Sequence, residues 1–355
     1  MNRTNPIPLL IAMLVAMASS VFCDTVVAYH NRGISKENKG DLDGATKDYT
    51  EAATAIKSDN SVAYFNRGDS KQAAGDLEGA IADYTKVIEL EPNCADAYIT
   101  RGVVKQARGD LEGAIADYSN AIAVKPDEAM AYYNRGTAKR AKGTLEEAIS
   151  DYSKAIEFKP DFAESYNARG RAKRDKGDMD GAIADYTKAI QINPQYHSAY
   201  RRRGYLRYDL HAFKDALADF RKVVEMDPSG DYCHFRIWLI RARLGELEAA
   251  DMELKAYLLS RTTGKPNDWP AKIGHFLVGQ LAEPEFLAAA KNADQKTELG
   301  QLCEAYFYAG SKRLFVNDKA IAMDYFQKAI ATDSKIYTEH KSAAAELKFL
   351  KSQKN

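Results

Sequence analysis

The chain has 355 residues, long enough to bury a sizeable core, and its 50 Lys plus Arg balance 50 Asp plus Glu. A net charge of zero lacks the basic surface that general nucleic-acid binding needs, so nucleic acid is not an expected partner. Cys23, Cys94, Cys233 and Cys303 lie far apart in sequence, which excludes a CxxC motif and a disulfide framework; pairing of Cys233 with Cys303 stays open beside two small buried thiols.

Residues 1–23 stand apart from the rest. Arg3 supplies a positive start, residues 7–22 form an uncharged apolar run, and small residues follow at Ala16, Ala18, Ser19 and Ser20. This reads as a secretory signal, with cleavage sites after Ala18, Ser20 or Cys23. The run of 16 residues is shorter than the ~20 that a spanning helix needs, so an uncleaved anchor fits less well. The expected location is therefore outside the cytoplasm, in the periplasm or cell envelope. Cys23 sits where bacterial lipoproteins carry their lipidated cysteine, which would tether the chain to a membrane, although Phe22 is bulky where that pattern wants a small residue.

A fixed period governs the middle of the chain. Gly68, Gly102, Gly136, Gly170 and Gly204 recur every 34 residues, and so do Pro92, Pro126, Pro160, Pro194 and Pro228. In the unit 95–128, Tyr98 and Tyr118 are large enough to fill a seam between two helices, while Gly102 and Ala114 let the backbones approach. Gly109 suits a left-handed turn, Ala121 leaves room for the next helix, and Pro126 ends the second helix. One such pair cannot bury both faces, so neighbouring pairs must stack. The pattern resembles the tetratricopeptide repeat over residues 26–230. That resemblance implies an all-α fold: a right-handed superhelical solenoid of helix–turn–helix repeats with an inner face lined by the first helices.

Six units follow: 26–60, one residue longer and without the closing proline, then 61–94, 95–128, 129–162, 163–196 and 197–230. An eroded seventh, 231–264, places Trp238 at the glycine position and keeps Gly245 and Ala250. A loop is expected over 262–270, and the connecting stretch of 265–302 carries short helices over 271–281 and 284–292. A last repeat-like unit, 303–336, is closed by a capping helix over 338–350.

Arg recurs before each glycine, at Arg32, Arg67, Arg101, Arg135, Arg169 and Arg203, and Asp recurs 16 residues later, from Asp48 to Asp219. In a helix hairpin the two lie at similar height, which predicts a structural ladder of Arg–Asp contacts. The variable first-helix positions are the candidate partner-binding residues: Phe65 and Asp69, Ile99 and Val103, Tyr133, Thr137 and Arg140, Asn167, Arg171 and Arg174, then Arg201, Tyr205 and Tyr208. His30 and Ile34 hold the same places in the first unit, so the carboxylate clamp of chaperone-binding repeats is missing. An anionic partner segment suits the basic, aromatic far half.

No HExxH, GxSxG, GxGxxG or phosphate loop occurs, and the six histidines are scattered. No catalytic residue, metal or cofactor is expected. The tail carries a second resemblance, in Trp269, Ile273 to Leu277, Gly279-Gln280, Glu304 to Gly310, Phe326 to Ala329, Glu339 to Lys341 and Glu346-Leu347. It is similar to the tail of NlpI-type bacterial lipoproteins, and so implies a dimeric envelope adaptor for a protease or murein hydrolases. The expected function is thus a non-catalytic exported scaffold for protein or peptide partners. A cell-wall or polysaccharide receptor is the alternative, and an enzyme acting through residues 240–355 is the weaker third.

Overall fold

The computed structural model describes residues 29, 31–55, 61–261, 264, 267–335 and 337–353. The expected signal, Cys23 and His30 lie outside them. Two compact units form, Met1–Lys176 and Gly177–Asn355, and the division falls inside the fifth repeat. Among the described residues every regular element is helical.

The first unit holds α1 (31–37), α2 (Leu42–Ala55), α3 (Ser61–Ala73), α4 (Leu77–Leu90), α5 (Ala95–Ala107), α6 (Leu111–Val124), α7 (Ala129–Lys142), α8 (Leu145–Phe158) and α9 (Ala163–Lys176). Successive helices pack in pairs, α3 on α4, α5 on α6 and α7 on α8. Local chemistry sets the joints. Asp76 and Asp110 cap α4 and α6 by accepting from the backbone N–H three residues on. Gly109, at φ +86°, turns the chain between α5 and α6 where a side chain would be strained.

The seam follows the sequence expectation in its small residues. Gly68, Gly102 and Gly136 face the rings of Tyr84, Tyr118 and Tyr152, and those rings are buried. A Cβ on Gly102 would come within 2.7 Å of Tyr118, whereas one on Gly204 would meet nothing nearer than 3.2 Å. Alanine gains up to about 1 kcal/mol of helix propensity over glycine. Overpacking costs roughly 1–3 kcal/mol. Gly204→Ala is therefore expected to be near neutral, and Gly102→Ala to lower the melting temperature. Equal shifts in the two thermal melts would contradict this.

The other tyrosine departs from expectation. Tyr98 is only half-buried and lies beneath the Arg101 guanidinium, 5.8 Å from it, rather than in the seam. Tyr64, Tyr132, Tyr166 and Tyr200 take the same place under Arg67, Arg135, Arg169 and Arg203. Each arginine needs a platform because its head is committed elsewhere. Arg101 donates from Nε (2.9 Å) and Nη2 (2.6 Å) to Asp117, and from Nη1 (3.0 Å) to Thr85 of the preceding repeat. The same stitch joins Arg135 to Asp151 and Ser119, and Arg203 to Asp219 and Thr187. The expected ladder therefore forms, and from Arg101 onward it also ties a repeat to the one before.

A lysine or arginine four residues on adds a second cation. Lys71, Lys105 and Lys139 reach Asp83, Asp117 and Asp151 at 2.8–3.0 Å, and Arg207 reaches Asp219 at 2.7 Å. In the first repeat Arg32 beside Asp48 holds that carboxyl down at about 2. Asp117→Ala would strand two cations. Their side chains keep 14% and 20% exposure, so water rescues them in part. A loss of about 2–3 kcal/mol is expected, below that of a fully buried pair. Urea unfolding checks it, and a change under about 0.5 kcal/mol would mean the ladder is ornamental.

The second unit holds α10 (Met179–Ile192), α11 (His197–Asp209), α12 (Phe213–Met226), α13 (Asp231–Arg243), α14 (Leu247–Ser260), α15 (Trp269–Leu277), α16 (Glu283–Ala289), α17 (Gln295–Phe315), α18 (Lys319–Ala331) and α19 (Thr338–Ser352). Trp238 replaces the seam glycine of the seventh pair; it is buried, and its indole N–H donates to Asp251 at 2.8 Å. The connecting stretch differs from expectation. Asp268 caps α15 with Pro270 in its first turn, so the helix starts at Trp269, and Gly279 at φ +78° follows its end. α16 ends at Ala289, short of 292. Asp294 caps α17, and no proline interrupts its 21 residues, so the expected boundary at 302/303 falls inside one helix. Cys233 and Cys303 do not pair; both are buried, and burial pushes their thiols up to about 11 and about 12.

Candidate functional site

In the first unit the variable positions of α3, α5, α7 and α9 come from the same register of each repeat. Phe65 packs edge-on against Tyr84, ring centres 5.5 Å apart. Asp69 accepts from the Tyr84 hydroxyl at 2.6 Å, and burial raises its carboxyl pKa against that bond. Ile99 packs on Ala114, Tyr118 and Ala138, while Val103 remains exposed. Tyr133 lies 5.1 Å from the Phe162 ring and 6.0 Å from Tyr152.

Charge gathers around Tyr133. Burial raises its hydroxyl pKa, Glu164 adds to the rise, and Arg171, Thr137 and Arg140 oppose it. Arg140 and Arg174 both reach Asp175, at 3.0 Å and 2.9 Å. Asn167 is buried. Tyr133, Thr137, Arg140 and Arg171 are thus brought together, with Phe65 and Asp69 at the far end of the series. The face offers apolar and aromatic surface that gives way to guanidinium groups.

A model of the tetratricopeptide repeat matches residues 61–94, and a TPR repeat model matches 106–139, 136–173 and 170–211. The chain carries tetratricopeptide repeats. Among solved structures, a tetratricopeptide repeat protein from Parabacteroides merdae ATCC 43184 is 19% identical with a TM-score of 0.53, over 72% of this chain and 98% of that one. Pseudomonas aeruginosa PilF is 19% identical with a TM-score of 0.51, over 60% and 95%. A MamA structure is 30% identical, with a TM-score of 0.43 over 46% and 94%. These likenesses concern the repeat fold. Among curated proteins no sequence relative is found. The matching families are repeat scaffolds, and no catalytic family is indicated.

Among the described residues no group of three or more His, Cys, Asp or Glu is placed to hold a metal ion, and no helix is long and apolar enough to cross a membrane.

In the second unit the same repeat positions meet a different fate. Tyr208 was expected on an open inner face, but it is 1% exposed. Tyr205 and Tyr208 flank the Arg236 guanidinium at 5.0 and 4.7 Å, and Phe307 of α17 closes a third side at 4.5 Å. Burial raises both tyrosine hydroxyls out of the range of ordinary titration. Only Arg201 of this group stays exposed. The reason is that α19 packs on α11 and α18, and α17 packs on α13.

The residues that organise this face were not among the candidate partner-binding residues. Arg236 is fully buried and pairs with Glu339 at 2.9 Å. Arg243 pairs with Glu346 at 2.7 Å, and His211 lies 3.2 Å from the same carboxylate. Burial opposes the Glu346 charge, but His211 and Arg243 hold its pKa below the usual carboxylate value. Glu304 accepts from the Trp269 indole, and burial followed by Glu339 pushes its carboxyl up to about 8. The one available signal was spacing: Arg236 and Arg243 stand seven apart, as do Glu339 and Glu346.

Proposed function

We propose that this protein is a non-catalytic exported scaffold that holds a protein or peptide segment on the inner face of its first unit. The supporting observation is that face-lining residues change from repeat to repeat while the stitch beneath them stays constant. Phe65, Ile99, Val103 and Tyr133 favour apolar side chains, and Arg140, Arg171 and Arg174 favour a carboxylate. The favoured partner is therefore an apolar segment with an acidic stretch.

Export rests on the composition of residues 1–23, and a lipid tether rests on the position of Cys23. The envelope-adaptor role, with a protease or murein hydrolase as partner and a homodimer as its form, rests on the likeness of the tail to NlpI-type lipoproteins. Crosslinking in intact envelope with the full chain and a Tyr133→Ala/Arg171→Ala variant tests the reading. Loss of two anchors is expected to reduce partner capture at least about tenfold. Undiminished capture would reject this face, and retention on purified peptidoglycan without any protein would favour the polysaccharide receptor. Mass spectrometry of the mature N-terminus decides between cleavage and lipidation.

A further inference from the structure

The inner face of α11 and α13 is already occupied, and the occupant is α19. α19 follows α18 across the short stretch 332–337. Its contacts with the face are ordered by chemistry. Glu339 accepts from Arg236 at 2.9 Å. Ser342 accepts from Arg236 at 3.2 Å and donates to Asp209 at 2.6 Å. Glu346 accepts from Arg243 at 2.7 Å and lies 3.2 Å from His211. The Phe349 ring lies 3.9 Å from the imidazole of His211. Ala343, Leu347 and Leu350 fill the space between these anchors, while Lys341, Lys348 and Lys351 face solvent.

The register is a match between two helices. On α19 the carboxylates are seven residues apart, two helical turns, with Ser342 and Ala343 between them. On α13 the receiving arginines are seven apart as well. A helix that only capped the core would need apolar contact alone, since buried ion pairs add little net stability over well-packed apolar groups. What paired charges at matched spacing supply is selection of one helix in one register.

We infer that the inner face of α11 and α13 is a receptor for an amphipathic helix bearing carboxylates seven residues apart with small residues between. α19 fills it in cis, and a helix of the same pattern on a partner protein displaces α19 to bind in trans. The pattern required is that of α19 itself: Glu at the first and eighth positions, Ser or Ala at the fourth and fifth, and Leu at the ninth and twelfth. A tethered helix competes at an effective concentration on the order of millimolar. The intact chain therefore binds such a partner weakly, in proportion to the fraction of time α19 is away. This face is separate from that of the first unit, and the inference does not depend on what the first unit holds.

A fluorescent peptide of residues 337–353 is titrated into the full-length chain and into full-length Glu346→Gln by anisotropy. Loosening the cis helix is expected to tighten peptide binding at least tenfold. A peptide carrying the Glu346→Gln change is expected to bind that chain at least tenfold more weakly than the unaltered peptide. No binding to a Glu346→Gln chain that still melts cooperatively would overturn the proposal. Native-state hydrogen exchange on the unaltered chain gives an independent reading. α19 amides are expected to exchange at least tenfold faster than those of α13, and exchange only with global unfolding would overturn it. A concentration-dependent doubling of mass, abolished by Glu346→Gln, would give the face to a second copy and overturn the assignment to a separate partner.

Discussion

Arg236→Ala is expected to lower stability by about 3–5 kcal/mol, the cost of stranding one member of a fully buried ion pair. The guanidinium is out of reach of water, so nothing screens its loss. Burial works against the charge, yet Glu339 and the surrounding tyrosines hold it, and its pKa stays above that of a free arginine. Removing it leaves Glu339 buried beside Tyr308, with no cation in contact, and opens a space among Tyr205, Tyr208 and Phe307. Two effects are mixed in that loss, and two further variants separate them. Arg236→Met refills much of the volume but still strands the carboxylate, so it should recover little. Arg236→Met with Glu339→Gln removes the charge problem as well, and should recover most of the loss. Urea unfolding of the unaltered chain, Arg236→Met, Glu339→Gln and the double variant closes the cycle. A single-variant loss under about 1 kcal/mol, or a double variant no better than the single, would mean that packing and not charge pairing holds this face.

Legibility in the sequence followed the distance over which each contact acts. The seam and the ladder were readable because their partners sit at fixed short separations within one repeat and recur. Gly102 with Tyr118 and Arg101 with Asp117 are both 16 apart, and the period repeats that spacing. The inter-repeat bond from Arg101 to Thr85 was readable in principle by the same rule. Tyr98 was misplaced because size alone suggested the seam, whereas the guanidinium above it needed a flat surface. His211 takes a left-handed turn at φ 59° where the other repeats use glycine, and its imidazole then meets Glu346 and Phe349. Which inner positions stay open could not be read locally. Tyr208 has the same register as Arg140 and Arg174, and it is buried because Arg236 of α13, Phe307 of α17 and the helix α19, all later in the chain, gather on that side. Burial of this kind is decided by tertiary contact, and no periodicity in the 197–230 repeat announces it.

Stability is expected to fall as pH rises from about 4.5 to about 8, and Glu304→Gln should flatten that fall. The carboxyl of Glu304 is buried on α17, and its ordinary value is 4.5 against about 8 in the fold. Burial is the larger cause and the Glu339 charge the next, while bonds from Trp269 and Tyr232 and the charge of Arg236 act in the opposite direction. The remaining titratable neighbours, Cys303, Tyr308 and Tyr337, are each held neutral by pKa values raised through burial. Between the two values the native chain keeps a proton that the unfolded chain has lost. Unfolding then releases a proton, so raising the pH favours the unfolded state. The contribution is fully present below about 4.5 and is lost as pH passes about 8. A shift of this size corresponds to a difference on the order of 3–5 kcal/mol, shared with Glu339 because the two carboxylates face one arginine. Other groups titrate over the same range, so the informative quantity is the difference between the two chains. Thermal melts at pH 5, 6.5 and 8 should show a melting temperature that drops more steeply for the unaltered chain than for Glu304→Gln. Parallel profiles would place the proton elsewhere, and a steeper fall in the variant would reverse the sign argued here.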